Sequence, residues 1–243
     1  MTAERQSRNL LLGALPPEEY ARLVPDLASV EFERGHVLHR PDEDITQVYF
    51  VTGGVASLLA TGSKGEAVDT LMIGREGLVG LPVFLGTGQM PVTALVQVEM
   101  TAERLTAEGL RRELERGGAL VGLLQRYTQM ALVEIAQLVL CNRLHGLSER
   151  TARWLMQIHR RVGSVPYDVT HEFLAEMLGA QRPPLSQVVH DFRERGLIAF
   201  PRRTLQVVDP EGLRKECCGC GQIIDQEHDR LLQSVARYSL VAL

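Results

Sequence analysis

From Leu110 to about His145 the chain carries no proline and keeps a broad apolar stripe, a pattern that predicts one long helix. Leu124, Ala131, Leu138 and His145 recur every seven residues, as do Tyr127, Glu134 and Cys141. Glu134 and His145 interrupt the seam. A helix of this length carries more apolar surface than one core needs, which predicts pairing with a second copy. Packing along the same chain's other elements accounts for the stripe as well, and both readings are compatible.

The flanks restrict the fold further. Pro16-Pro17-Glu18-Glu19-Tyr20 with Leu23 and Leu27 predicts a short opening helix, since proline and acidic residues suit a helix start. From Val30 to Thr106 the pattern becomes short strands cut by turns. Val48-Tyr49-Phe50-Val51 precedes a turn at Thr52-Gly53-Gly54, and Val55 to Ala60 follows. Gly62-Ser63-Lys64-Gly65 turns into Ala67 to Ile73, and Ala94 to Val98 is a further strand. Many short strands with Gly-rich turns predict an antiparallel roll or barrel. The class is therefore α+β: an N-terminal antiparallel β-roll, a long dimerisation helix and a C-terminal helical segment.

The C-terminal third carries the most specific local signals. A helix at Glu149–Arg161 sets Leu155, Ile158 and Val162 on one side. Thr170 stands where an N-cap belongs, with Glu172 in the following turn. Phe173, Leu174, Met177 and Leu178 give that helix a buried side, and Gly179-Ala180-Gln181 supplies a turn. The next helix opens at Pro183-Pro184, where first-turn amides lack helical partners. Leu185, Val188, Val189 and Phe192 then fall at i, i+3, i+4 and i+7. Gly196 suits a left-handed helix end. Leu197–Phe200, the tip Pro201-Arg202-Arg203-Thr204 and Leu205–Val208 form a hairpin with two arginines at its tip. Two helices, a tight glycine turn and a basic β-wing make a winged helix-turn-helix.

That motif predicts double-stranded DNA as partner. Arg182, Ser186, Gln187, His190 and Arg193 lie opposite the core stripe, with Gln181 of the turn and His171 counted in the same DNA-binding set, and Arg and Gln can pair with base edges in the major groove. Thr170, Ser186, Arg202 and Arg203 suit phosphates, which position a domain without reading sequence. The net charge of −4 is unevenly spread. Residues 1–141 hold 12 Lys+Arg against 18 Asp+Glu, residues 142–215 hold 12 against 8, and residues 216–243 hold 2 against 4. A basic segment behind an acidic front is expected if only that segment meets phosphate. The apolar run Leu10–Leu12 is too short for a signal-peptide core, and no run approaches a membrane span. The chain reads as cytoplasmic, with no membrane partner.

Taken together, the roll, the long helix and Val169-Thr170-His171-Glu172-Phe173-Leu174-Ala175-Glu176-Met177-Leu178-Gly179 with Arg182 resemble the cyclic-AMP receptor protein and fumarate–nitrate regulator family. The resemblance covers nearly the whole chain. It implies a homodimeric transcription regulator, with RNA polymerase as a further partner and base-reading roles for Arg182 and Gln187. Pro183 stands where the family usually has a glutamate. Gly54, Gly65, Gly77 and Gly80 resemble the family's roll glycines. The residues that would hold a cyclic phosphate, however, are replaced by Leu81 and by Met90-Pro91-Val92. Ile135 and Ala136 replace the polar pair that would touch a purine. The effector pocket is thus expected at Leu81, Val92, Ile135 and Ala136, without a cyclic nucleotide and with no cofactor. The cysteine cluster of the iron–sulfur regulators is missing, since no cysteine precedes Cys141.

The expected domains are a roll at 1–109, the dimerisation helix at 110–145, the winged helix at 146–215 and a helical extension at 216–243. The extension holds Cys217-Cys218-Gly219-Cys220, whose C-x-x-C pair suits redox chemistry or half of a metal site, with His228 the nearby fourth ligand. Ordinary small buried residues are the plainer reading, and Cys141 reads as a small core residue or as a contact with its twin. His36 and His39 lack a second axial partner for haem. Two other functions stay open: a scaffold whose winged helix meets protein, and a metal- or redox-responsive regulator using the C-terminal cysteines. An enzyme built on those cysteines and His228 lacks an acid–base pair or phosphate loop.

Overall fold

The fold is given by a computed structural model that describes residues 7–241, with side chains described through residue 233. The first six residues and the last two of the extension lie outside the described residues.

Six antiparallel strands build the roll: β1 (Ala28–Phe32), β2 (Val37–His39), β3 (Gln47–Thr61), β4 (Ala67–Ile73), β5 (Leu78–Val79) and β6 (Thr93–Thr106). Their order is β1-β6-β3-β4, with β2 on β6 and β5 on β3. The turn expected at Thr52-Gly53-Gly54 is instead a run of register shifts inside one strand, and β3 continues against β6 from Gln47↔Thr106 to Leu59↔Thr93. Gly54 has φ +76°, and a Cβ there would lie 1.9 Å from the Glu99 carbonyl oxygen. Glycine here allows a bulge with close backbone approach, not a chain reversal. Val51, Ala56, Leu58, Leu71, Ile73, Val96 and Met100 fill the roll.

The helix expected from Leu110 to His145 is two helices. α1 (Pro17–Leu23) and α2 (Leu81–Phe84) are followed by α3 (Ala107–Glu115) and α4 (Ala119–Leu144). Gly117 and Gly118, at φ +73° and +110°, separate the last two. The carboxylate of Glu19 on α1 accepts the Ala119 N–H at 3.0 and 3.1 Å and the Leu120 N–H at 3.4 Å. An anion at the free amides caps the start of α4.

The heptad seam packs within the chain, the second of the two readings its pattern allowed. Leu124, Tyr127, Ala131, Glu134, Leu138 and Cys141 are all buried within the chain, while Leu132, Ile135, Val139, Leu140 and Leu144 are exposed. The helix thus has two apolar faces, and the one left open is not the one the seven-residue repeat selected.

α5 (Leu147–Val162), β7 (Tyr167–Asp168), α6 (His171–Met177), α7 (Arg182–Glu194), β8 (Ile198–Ala199) and β9 (Thr204–Val207) form the next unit, with strand order β7-β9-β8. Its core, built on Trp154, Leu155, Leu174, Leu185, Val189 and Phe192, also takes in Val55, Leu59 and Met72 of the roll. α8 (Pro210–Glu216) leads into α9 (Gly219–Val241), which packs along α4.

A buried polar network joins these parts. Arg161 of α5 pairs with Glu76 at 2.8 Å and with Glu134 at 3.3 Å. Glu134 also meets His228 of α9 at 2.9 Å and accepts from the Gln157 amide at 3.0 Å. Glu134, the irregularity in the sequence seam, is therefore the hub that ties α4 to α5 and α9.

Candidate nucleic-acid interface and cysteine cluster

The helix-turn-helix is set by local chemistry. Thr170 Oγ1 accepts the Phe173 N–H at 3.1 Å, which caps α6, and its hydroxyl also interacts with the Glu172 carboxylate. Gly179, at φ +56°, turns the chain toward α7. The first turn of α7 takes Pro183 and Pro184 without losing a helical bond. Leu185, Val189 and Phe192 are fully buried, which fixes the rotation of α7 and leaves Gln181, Arg182, Gln187 and His190 exposed. Burying side chains of this size contributes about 1.5–3 kcal/mol each, so the orientation of this exposed face is held by packing.

Side-chain contacts couple the two helices. His171 Nδ1 lies 2.8 Å from Ser186 Oγ, and the His171 ring packs on Phe200 with centroids 5.0 Å apart. Burial lowers the His171 pKa, and the nearby Arg182 and Arg193 charges act in the same direction against Glu172. His171 and Ser186 are thus partners of each other at the helix crossing. Arg182 Nε meets Glu172 Oε1 at 3.0 Å with both groups well exposed, a pairing that competes weakly with any other anion. The wing tip Pro201-Arg202-Arg203 is exposed, and Arg202 adopts φ +59°. The Arg203 carbonyl accepts the Val169 N–H at 2.7 Å, which holds the wing beside the start of α6.

The residues expected around an effector do not meet. Val92 packs on the roll interior, whereas Leu81 packs on a separate core with Leu12, Val48 and Leu124. Ile135 and Ala136 lie on the exposed side of α4. A cleft of about 1010 Å³ opens between the roll and the winged helix, lined by Arg34, Thr52, Arg75, Glu99, Val165 and Asp168 among others. Nothing in the sequence pattern marked that cleft, because its walls come from segments with no shared periodicity. His36 stacks on Phe32 with centroids 4.7 Å apart. Burial lowers the His39 pKa to about 4.

The cysteines assemble differently from the expected Cys217, Cys218, Cys220 and His228. His228 is engaged by Glu134, and the Cys217 thiol donates to the Leu213 carbonyl at 3.5 Å. Their places are taken by Cys141 and His145 from the end of α4. The ligand atoms of Cys141, His145, Cys218 and Cys220 all lie within 4.8 Å of one another. Cys141 Sγ is 3.4 Å from Cys218 Sγ, and Cys220 Sγ is 3.6 Å from His145 Nδ1. Burial pushes the Cys220 thiol up to about 12, and it raises Cys141 against the opposing charge of Arg153.

Among the described residues no helix is long and apolar enough to cross a membrane. Residues 29–116 match the family model of the cyclic nucleotide-binding domain, and residues 149–216 match that of the Crp-like helix-turn-helix domain. The chain is 23% identical over 216 residues to the CRP-like cAMP-activated global transcriptional regulator of Mycobacterium tuberculosis, covering 84% of this chain and 95% of that one. It is 20% identical over 196 residues to the global nitrogen regulator of Synechococcus elongatus, covering 76% of this chain and 88% of the relative. The structure of FixK2 from Bradyrhizobium japonicum superposes with a TM-score of 0.67 at 15% identity, covering 79% of this chain and 98% of the other. Two domain models in this order, and regulators matched along nearly their whole length, place the chain in the Crp/Fnr family of transcription regulators.

Proposed function

We propose that this regulator works in the cytoplasm as a homodimer, reads double-stranded DNA through α7 and the wing, and does so without a cyclic nucleotide. The observation that carries the reading is the rotation of α7. Its apolar stripe is buried, and Gln181, Arg182, Gln187 and His190 are exposed above it, Arg182 in a surface pair with Glu172. Arg182 and Gln187 address base edges, and the Thr170 hydroxyl with Arg202 and Arg203 addresses phosphates. His171 and Ser186 border the same surface and set its geometry through their mutual contact. The exposed Leu132, Ile135, Val139 and Leu144 support pairing of two α4 helices, which would present two reading heads to a two-fold operator. RNA polymerase is the partner expected once the dimer is on DNA.

The test is a binding titration on cognate and random duplexes at several salt concentrations. Arg182→Ala or Gln187→Ala should cost about 1–3 kcal/mol on the cognate site and relax preference at one base pair per half-site. The Arg202→Ala, Arg203→Ala double variant should weaken both duplexes alike and lower the salt slope by about two phosphates' worth per head. Binding that ignores salt in the parent protein would instead favour a scaffold whose winged helix meets other proteins.

A further inference from the structure

We propose that Cys141, His145, Cys218 and Cys220 form a Cys3His site for a thiophilic divalent cation, zinc in the first place, that fastens the start of α9 to the end of α4. The proposal stands apart from the DNA reading, because none of the four residues belongs to the reading face or the wing.

Geometry is the first support. A zinc ion about 2.3 Å from each sulfur and about 2.0 Å from a nitrogen, at tetrahedral angles, spaces its sulfurs about 3.8 Å apart and a sulfur–nitrogen pair about 3.5 Å apart. The observed Cys141–Cys218 and Cys220–His145 separations are 3.4 and 3.6 Å, and no pair of ligand atoms exceeds 4.8 Å. Four donors this close leave room for one ion and not for a multi-iron cluster. Three sulfurs and an imidazole suit zinc and its thiophilic neighbours, and they are poor ligands for calcium or magnesium, which take oxygen.

Charge is the second. One divalent ion with three thiolates and a neutral imidazole carries a net single negative charge. Arg153 of α5, 3% exposed, lies beside Cys141, and its buried Nε has no hydrogen-bond partner among the described residues. A guanidinium in that place balances the loaded site and orients its sulfurs from outside the ligand shell. Loading replaces three thiol protons, which leave to solvent, and half-buried His145 gives the ion its way in. The fourth cysteine supplies an internal control, since Cys217 bonds to its own helix and is not among the four.

The experiment uses the full chain, reduced, stripped with a chelator and titrated anaerobically with Co(II), then with zinc in competition. The expected result is one Co(II) per chain with the strong visible bands of a tetrahedral thiolate site, displaced by zinc. Cys218→Ser and Cys141→Ser should weaken zinc binding by roughly 100-fold or more, whereas Cys217→Ser should leave spectrum and stoichiometry unchanged. The parent titration decides the matter even if a variant folds poorly. Absence of tetrahedral bands at one equivalent would overturn the site. So would equal losses in Cys217→Ser and Cys218→Ser, or a Cys141–Cys218 disulfide that persists in glutathione buffer and excludes cobalt.

Discussion

Asp69 of β4 is buried; among the described residues its Oδ1 has no hydrogen-bond partner, and its Oδ2 accepts from the Gln97 amide at 3.3 Å. Burial, reinforced by the Glu134 charge, raises its carboxyl to about 6 despite Arg153 and Arg161. A folded value above the ordinary one means that folding favours the protonated acid. The associated stability is present below about pH 4 and is lost as pH rises through about 6. Asp69→Asn should therefore stabilise the protein by roughly 1–3 kcal/mol at pH 8 and by little at pH 4, read from urea midpoints. Equal effects at both pH values would show that desolvation of Asp69 does not govern that site. Glu134 behaves oppositely. Its burial alone would raise the carboxyl, but Arg161 and His228 hold it at about 2. Its contribution is thus complete above about pH 4.5 and fails only as pH falls toward 2.

Among the elements, α4 teaches most about what a sequence discloses. Its inner and outer faces are both apolar, so periodicity shows a helix but cannot say which stripe meets the chain's own core. The seven-residue repeat picked the inner stripe, and Glu134 and Cys141 on it belong to buried polar and thiol clusters. Changing Leu132 and Val139 together to Glu should leave the fold intact, since both are exposed, and weaken self-association by at least about 100-fold. Sedimentation across a concentration series would show it, and an unchanged dimer would move the interface off this face. The winged helix was legible because its signals are local: the Thr170 cap, the Gly179 turn, Pro183-Pro184 and the Leu185/Val189/Phe192 stripe. The break at Gly117-Gly118 is marked in the sequence as well, by two adjacent glycines inside a helical pattern. The bulge at Gly54 was not legible, because it depends on the backbone of Glu99. Nor was the Cys–His cluster, whose closest sulfurs are 77 residues apart in the chain.

Over the whole molecule, the roll packs into the same core as the winged helix through Val55, Leu59 and Met72, and Arg34 lies over the Phe173 ring, 5.1 Å from its centroid. A ligand held inside the roll would therefore lie against the core it shares with the winged helix. A cyclic nucleotide, however, brings a phosphate anion that needs donors in a partly dry place, where a hydrogen bond to a charged group contributes about 1.5–3 kcal/mol. The α2 segment offers Leu81, Pro82, Val83 and Phe84, and Met90 and Val92 pack against an interior of apolar side chains. The buried guanidinium of Arg161 is already bound to Glu76 and Glu134. On α4, Ile135 and Ala136 face outward and carry no group that could bond a purine. Titration calorimetry with cyclic AMP or cyclic GMP at millimolar ligand should thus show no saturable heat, and neither should change the affinity for DNA. Micromolar binding of either nucleotide, lost on Ala136→Phe and accompanied by a shift in DNA affinity, would overturn this expectation.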